Sequence, residues 1–273
     1  MATDNPFLIE AQGIRKVFGK GSQKILAVDD VSVRIPRGKT LGVLGESGSG
    51  KSTLGRCLLR LIEPDAGTLH FKGEKVSSLS ASQFRPLRRN LQMIFQNPFS
   101  SLNPKMSIGD AIEDPLRIWN IGDRDHRRKR VKELLDQVGI HPRFASAYPH
   151  EFSGGQQQRV NIARALAVDP QFIVCDEAVS ALDVSIQAQI INLLMDLQKQ
   201  LGLTYLFISH NLGVVEYLSD EVLILHQGRQ VECGPTETIF KNPHDEYTRN
   251  LIASVPFIPT AQQLLTKVQS GNR

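Results

Sequence analysis

Gly45-Glu46-Ser47-Gly48-Ser49-Gly50-Lys51-Ser52 follows the pattern G-x-x-x-x-G-K-S/T, and it stands between a short apolar run, Leu41-Gly42-Val43-Leu44, and a helix-like stretch. That strand–loop–helix setting is the one this pattern requires to cradle phosphate. Its glycines let the backbone curl until several N–H groups point at one anion. The following helix adds its positive N-terminal end. Lys51 then reaches β- and γ-phosphates, and the Ser52 hydroxyl can ligate Mg²⁺. Glu46, Ser47, Gly48, Ser49 and Thr53 belong to the same cradle.

Outward from this loop the chain reads as strands alternating with helices. Upstream, Val31, Val33 and Ile35 alternate with Ser32 and Arg34, the period of a strand with one wet face. Pro36-Arg37-Gly38 is a turn. Short apolar runs recur at Leu91 to Phe95, Phe172 to Cys175 and Tyr205 to Ile208, as expected of strands covered on both faces. Ile186, Ile190, Leu193, Leu194, Leu197 and Leu201 predict one buried helical stripe. The alternation implies an α/β fold with a mostly parallel sheet. From about Asn97 to Pro149 the chain is charged and helix-like, without a convincing buried strand, and reads as an inserted helical lobe. Residues after about Pro256 read as a loosely held tail.

In open parallel sheets, ligands bind beyond the carboxyl ends of the strands. The run Phe172-Ile173-Val174-Cys175 delivers Asp176, placed to hold Mg²⁺ through water, and Glu177, placed to polarise an attacking water as general base. Tyr205 to Ile208 is followed by Ser209-His210, and a histidine there can bond a γ-phosphate oxygen. Leu91 to Phe95 is followed by Gln96, whose amide can touch the Mg²⁺ shell and the attacking water. Alone, His210 would read as a surface or capping histidine and Gln96 as a loop-start glutamine. Four apolar strands ending in four groups suited to nucleotide hydrolysis point to chemistry instead. A second glycine turn, Ser153-Gly154-Gly155-Gln156, opens a helix with Ser153 as N-cap. It is a second anion-binding helix terminus, and a two-fold dimer gives it a use: each chain's turn can close on nucleotide held by the other.

Composition narrows the classes. The 273 residues carry 41% hydrophobic and 22% charged side chains, which excludes wholesale disorder, collagen and coiled coil. Lys and Arg total 32 against 28 Asp and Glu, a surplus too small for a dedicated nucleic-acid binder. No apolar run approaches the ~18 residues of a membrane helix. Met1 to Pro6 shows no basic region leading into an apolar stretch, so no signal peptide is expected. The three cysteines, Cys57, Cys175 and Cys233, are far apart without a C-x-x-C pair; neither a disulfide framework nor structural zinc is expected, and a reducing cytosol fits.

Together these residues resemble the ATP-binding cassette (ABC) family over about residues 8–256, leaving 257–273 as a tail. Gly45 to Ser52 resembles the Walker A loop, Gln96 falls at the Q-loop position and Ser153 to Gln156 resembles the signature motif with Phe152 in its leucine place. Asp176 and Glu177 resemble the Walker B pair, Ser180-Ala181-Leu182-Asp183 the D-loop, and His210 the switch histidine. Phe18 would stack on adenine, or else is a phenylalanine at the core's edge. The resemblance implies a RecA-like P-loop core with an N-terminal antiparallel β subdomain and a helical subdomain inserted at about 97–155. It also implies ATP and Mg²⁺ as cofactors. Ala178 and Asn211 depart from the usual proline and aspartate, without removing a group assigned to chemistry.

A narrower resemblance, to the oligopeptide/dipeptide/nickel importer branch, rests on Asn97-Pro98-Phe99-Ser100-Ser101-Leu102-Asn103-Pro104, Tyr148-Pro149-His150-Glu151, and Asn242-Pro243-His244 with Tyr247-Thr248. It implies an ATPase on the cytoplasmic face of the membrane, paired with a second ATPase subunit, itself or a similar chain. Two membrane-spanning permease subunits and, indirectly, an external solute-binding protein complete the partners; no nucleic acid is expected. Only Cys233 lies where some members carry an iron–sulfur site, so no cluster is expected. Two other readings stay open. One is a soluble ABC ATPase acting on nucleic acid or ribosomes, prompted by the basic run Arg124 to Arg130. The other is a small-molecule kinase using the same loop.

Overall fold

A computed structural model describes residues 5–19 and 24–254. Strands β1 (Phe7–Phe18) and β2 (Ile25–Pro36) lead into β3 (Thr40–Leu44), the glycine loop and helix α1 (Lys51–Leu58). Strands β4 (Ala66–Phe71) and β5 (Glu74–Lys75), helix α2 (Ala81–Phe84) and strand β6 (Leu91–Ile94) follow. Helices α3 (Pro98–Ser101), α4 (Ile108–Ile118), α5 (Arg124–Gln137) and α6 (Gly154–Leu166) then precede β7 (Phe172–Asp176). The chain continues through α7 (Val184–Leu201), β8 (Thr204–Ile208), α8 (Leu212–Leu218), β9 (Glu221–His226), β10 (Arg229–Pro235), α9 (Thr236–Lys241) and α10 (Glu246–Ala253). Among the described residues no strand lies between β6 and β7. The expected tail, 257–273, lies outside the described residues.

Two sheets result. The first is antiparallel, in the order β2-β1-β4-β5. On β2 the alternation is as read: Val31, Val33 and Ile35 are buried, Ser32 and Arg34 exposed. The second sheet has the order β10-β9-β3-β8-β7-β6, parallel throughout except for β10 at one edge.

The central strands β3, β7 and β8 are buried at every position, and apolar except at Thr40, Thr204 and Asp176 at their ends, because each faces two cores. Phe172 and Val174 enter the core shared with α1 and the antiparallel sheet, while Ile173 and Cys175 enter the one shared with α4–α7. On β8, Leu206 and Ile208 take the first side and Tyr205 and Phe207 the second. Successive side chains of a strand point to opposite faces, so both faces are apolar along the strand interiors. Fully burying such a side chain stabilises the fold by about 1.5–3 kcal/mol.

The stripe on α7 needs one correction. Ile190, Leu194 and Leu197 are buried, joined by Ile191, whereas Leu201 is 44% exposed. Gly202 ends the helix in the left-handed conformation, and Leu203, at 1% exposure, enters the core in its place.

Candidate functional site

The loop between β3 and α1 is shaped by close backbone approaches. Gly45 has φ 149° and Gly50 φ 99°; a Cβ at Gly45 would collide with the Leu225 carbonyl, and at Gly50 with that of Ala27. Only glycine admits both the angle and the contact. From outside, Gly228 N–H donates to Ser49 O (3.1 Å) and Asp29 N–H to Gly228 O (2.8 Å), so β2 and the β9–β10 turn brace the loop. Lys51 is buried, and its Nζ donates to the carbonyls of Gly45 and Glu46, 2.7 Å each. Burial lowers its pKa, opposed by the nearby charges of Glu177, Asp176 and Glu46.

Three more strands bring their ends to this loop. The Ser52 hydroxyl donates to Asp176 Oδ1 at 2.6 Å, and Arg56 Nη2 lies 3.7 Å from Asp176 Oδ2. Burial raises the Asp176 pKa, while the Ser52 hydroxyl and the Arg56 charge pull it back down. Glu177 has φ 49°, left-handed for a side-chain-bearing residue, and its N–H donates to Ile208 O at 3.0 Å. This conformation costs roughly 1–2 kcal/mol, and it turns the carboxylate out of the strand line. Gln96 Nε2 donates to Glu177 Oε2 at 2.8 Å, and His210 Nδ1 lies 3.5 Å from the same oxygen.

These groups border an open cleft of ≈540 Å³ lined by Ser47 to Thr53, Gln96, Glu177, His210 and Ile25-Leu26-Ala27 of β2. The structure thus brings together the loop, Gln96, Glu177 and His210, with Asp176 behind Ser52. Phe18 is not among the lining residues; it is 39% exposed at the end of β1, and its cross-strand partner Ile25 lines the cleft instead.

The second glycine turn stands apart. Ser153 caps α6: its hydroxyl accepts the Gln156 N–H (3.4 Å) and the Gln156 side chain accepts the Ser153 N–H (3.0 Å). By helix geometry, the Gly154 and Gly155 N–H groups have no intrahelical partner. None of Ser153 to Gln156 lines the cleft. Sequence reasoning missed Ile25 to Ala27 and Arg56. Arg56 carried a signal, lying one helical turn beyond Ser52 on the same face; the β2 residues carried none, since only long-range pairing places them there.

A further cavity of ≈310 Å³ opens beside β6 and α4. Leu61, Phe95 and Ile118, 49%, 40% and 59% exposed, line it with Met93, Trp119, Arg88, Arg164 and Asp114.

Comparison with known proteins agrees with this geometry. Residues 28–180 match the family described as ABC transporter, and residues 231–272 match the oligopeptide/dipeptide transporter C-terminal region. The glutathione import ATP-binding protein GsiA of Salmonella paratyphi A is 52% identical over 240 residues, 88% of this chain but 38% of that protein. The chain therefore spans well under half the length of that relative. A putative peptide import ATP-binding protein of Brucella ovis, BOV_A0347, is 50% identical over 254 residues, 93% of this chain and 80% of its own length. Among solved structures, the dimeric ATP-binding cassette MJ0796 bound to ADP and Pi superposes with TM-score 0.76 at 30% identity, covering 84% of this chain and 98% of that one. The cbiO1 protein of Clostridium perfringens, part of the ABC transporter complex cbiONQ, gives 0.78 at 25% identity over 96% and 100%. With a phosphate loop, strand-end carboxylates and a capped glycine turn in one α/β frame, the chain belongs to the ABC transporter family.

Proposed function

We propose that this chain is the ATP-hydrolysing subunit of an importer for peptides or related small solutes, seated on the cytoplasmic face of the membrane. The observation that carries this reading is the Glu177 carboxylate, bonded by Gln96 and 3.5 Å from His210, at the mouth of the phosphate-loop cleft. Glu177 acts as general base toward water. Lys51 and the loop amides bind the β- and γ-phosphates, and His210 bonds the γ-phosphate. Ile25, on the cleft wall, and its cross-strand neighbour Phe18 offer the adenine ring an apolar side.

The donors at Ser52 and Asp176 are oxygens, and among the described residues no three His, Cys, Asp or Glu side chains cluster as a metal cage. That set suits Mg²⁺, which keeps waters and phosphate oxygens around it. Ser52, Asp176 and Gln96 would hold it, and when bound it neutralises phosphate charge.

The Ser153 to Gln156 turn lies outside its own chain's cleft, which supports a dimer in which each turn closes on the partner's nucleotide. The partner is a second copy or a similar ATPase chain. Among the described residues no helix is long and apolar enough to cross a membrane. The pore would belong to two permease subunits, and the cavity beside β6 and α4, with its exposed apolar rim, is where a permease segment would dock. Peptides are the first substrate class, delivered by an external solute-binding protein; nickel, a metal chelate or opines come second. In the basic run of α5, Arg127 pairs with Glu113 (3.2 Å) and Arg130 with Asp169 (2.6 Å), which favours a solvated helix face over a nucleic-acid contact.

The test is affinity purification of tagged Glu177→Gln protein from native membranes with ATP. Two multi-span proteins and a second ATPase are the expected companions. Recovery with nucleic acid or ribosomes, or alone from the soluble fraction, would reject the importer.

A further inference from the structure

The phosphate loop has one contact that none of the roles above uses. Glu46 N–H donates to the hydroxyl of Tyr247, 201 residues away on α10, at 3.4 Å. The peptide group that supplies this N–H is the one whose carbonyl, at Gly45, accepts Lys51 Nζ at 2.7 Å. A trans peptide carries its N–H and C=O on opposite sides. The Gly45–Glu46 unit is therefore held at both ends, by Tyr247 behind and Lys51 in front.

The start of α10 is built to aim Tyr247 there. Asp245 caps the helix, its side chain accepting the Tyr247 N–H at 2.7 Å. The Glu232 carboxylate on β10 accepts the N–H groups of His244 (3.0 Å) and Asp245 (3.3 Å). Arg249 donates to the carbonyls of Pro243 (3.3 Å) and His244 (2.8 Å). The Tyr247 ring packs on His226 at the end of β9, centroids 4.1 Å apart and planes tilted 39°. Burial lifts the phenol above its ordinary pKa, so the hydroxyl stays protonated at neutral pH. Residues 231–272, which include all of this bracket except His226, match the oligopeptide/dipeptide transporter C-terminal region rather than the general cassette.

We infer that Tyr247 is a positioning residue for the phosphate loop: by fixing the Gly45–Glu46 peptide, it sets the perch from which Lys51 meets nucleotide phosphates. The C-terminal region thereby tunes nucleotide affinity without touching nucleotide. This inference rests on the ATPase reading above. A loop whose peptide can rotate must be ordered on binding, and that cost appears in affinity rather than in the chemical step.

The experiment compares full-length wild type, Tyr247→Phe and, as a surface control on the same helix, Asn250→Ala. Tyr247→Phe keeps the ring on His226 and removes only the hydroxyl. Losing one such hydrogen bond should raise the Kd for methylanthraniloyl-ATP with Mg²⁺, and the KM for ATP, about two- to tenfold. The expected kcat at saturating ATP and the nucleotide-free melting temperature match wild type, and the Glu46 amide NMR signal shifts and exchanges faster. Tyr247→Phe binding as tightly as wild type would overturn the inference while leaving the ATPase reading intact. So would a weakened affinity accompanied by an equal loss in Asn250→Ala, or by a lowered melting temperature. A wild-type chain that binds no nucleotide would instead remove the ATPase reading, and this inference with it.

Discussion

Ser52 and Asp176 stand 124 residues apart in sequence, and the Ser52 hydroxyl donates to Asp176 Oδ1 across 2.6 Å. The bond joins the first turn of α1 to the last residue of β7, so the strand order of the sheet, with β8 between β3 and β7, decides that these two oxygens meet.

The Asp176 environment sets a pH signature. Its folded pKa lies above the reference value of 3.8, chiefly through burial. Between those two values the folded chain binds more protons than the unfolded one, so stability from this group falls as pH rises. Asp176→Asn removes that loss. Without nucleotide, thermal melting at neutral pH should rise, by about 2–4 °C for each kcal/mol regained, and the gain should vanish in acid below the unfolded value. Equal gains at both pH values would assign the effect to something other than charge.

Glu177→Gln keeps the shape of the side chain and removes the proposed general base. Phosphate release should fall about 10²–10⁴-fold, while nucleotide still binds. Fast turnover in this variant would remove Glu177 from the role of base.

The same position stores backbone strain. Glu177→Gly accepts φ 49° without steric cost, so the nucleotide-free chain should gain about 1 kcal/mol while hydrolysis is lost. Calorimetric melting checks the first half and phosphate release the second. A destabilised variant would mean that the Gln96 and His210 contacts outweigh the strain.

Gly50→Ala places a methyl against the Ala27 carbonyl at a left-handed position. The loop must shift, and nucleotide affinity should fall with a destabilisation of about 2 kcal/mol or more. Equilibrium unfolding and a nucleotide titration on the same preparation measure both.

Ile118→Asp puts a charge on the apolar rim beside β6 and α4. ATP affinity of the isolated chain should stay at the wild-type value, and recovery of permease subunits from membranes should drop. Unchanged recovery would move the docking surface elsewhere.

Much of this was legible in the sequence because the informative residues are local. The loop, the Asp176-Glu177 pair, Gln96 and His210 each follow directly on an apolar run, and each run is apolar for a reason visible in the fold: Phe172 and Ile173 face different cores. What escaped reading depends on pairing between distant segments. Ile25 reaches the cleft because β2 passes behind Gly50, and Tyr247 reaches Glu46 because β10 returns antiparallel to β9. Leu201 fits the helical period, yet it falls beyond the part of α7 that meets the core. Periodicity describes a helix and says nothing of where its partner ends.

The alternation of β7 between two cores also makes the strand a length standard. Deleting one residue would send Ile173 and Cys175 to the side built for Phe172 and Val174 and withdraw the carboxylates by about 3.3 Å, enough to break the Ser52 bond. Insertions in the turns between α3 and α6 disturb no such register. Over long divergence this chain can therefore lengthen its helical segment to suit new neighbours, while the distance from Phe172 to Glu177 is not free to change.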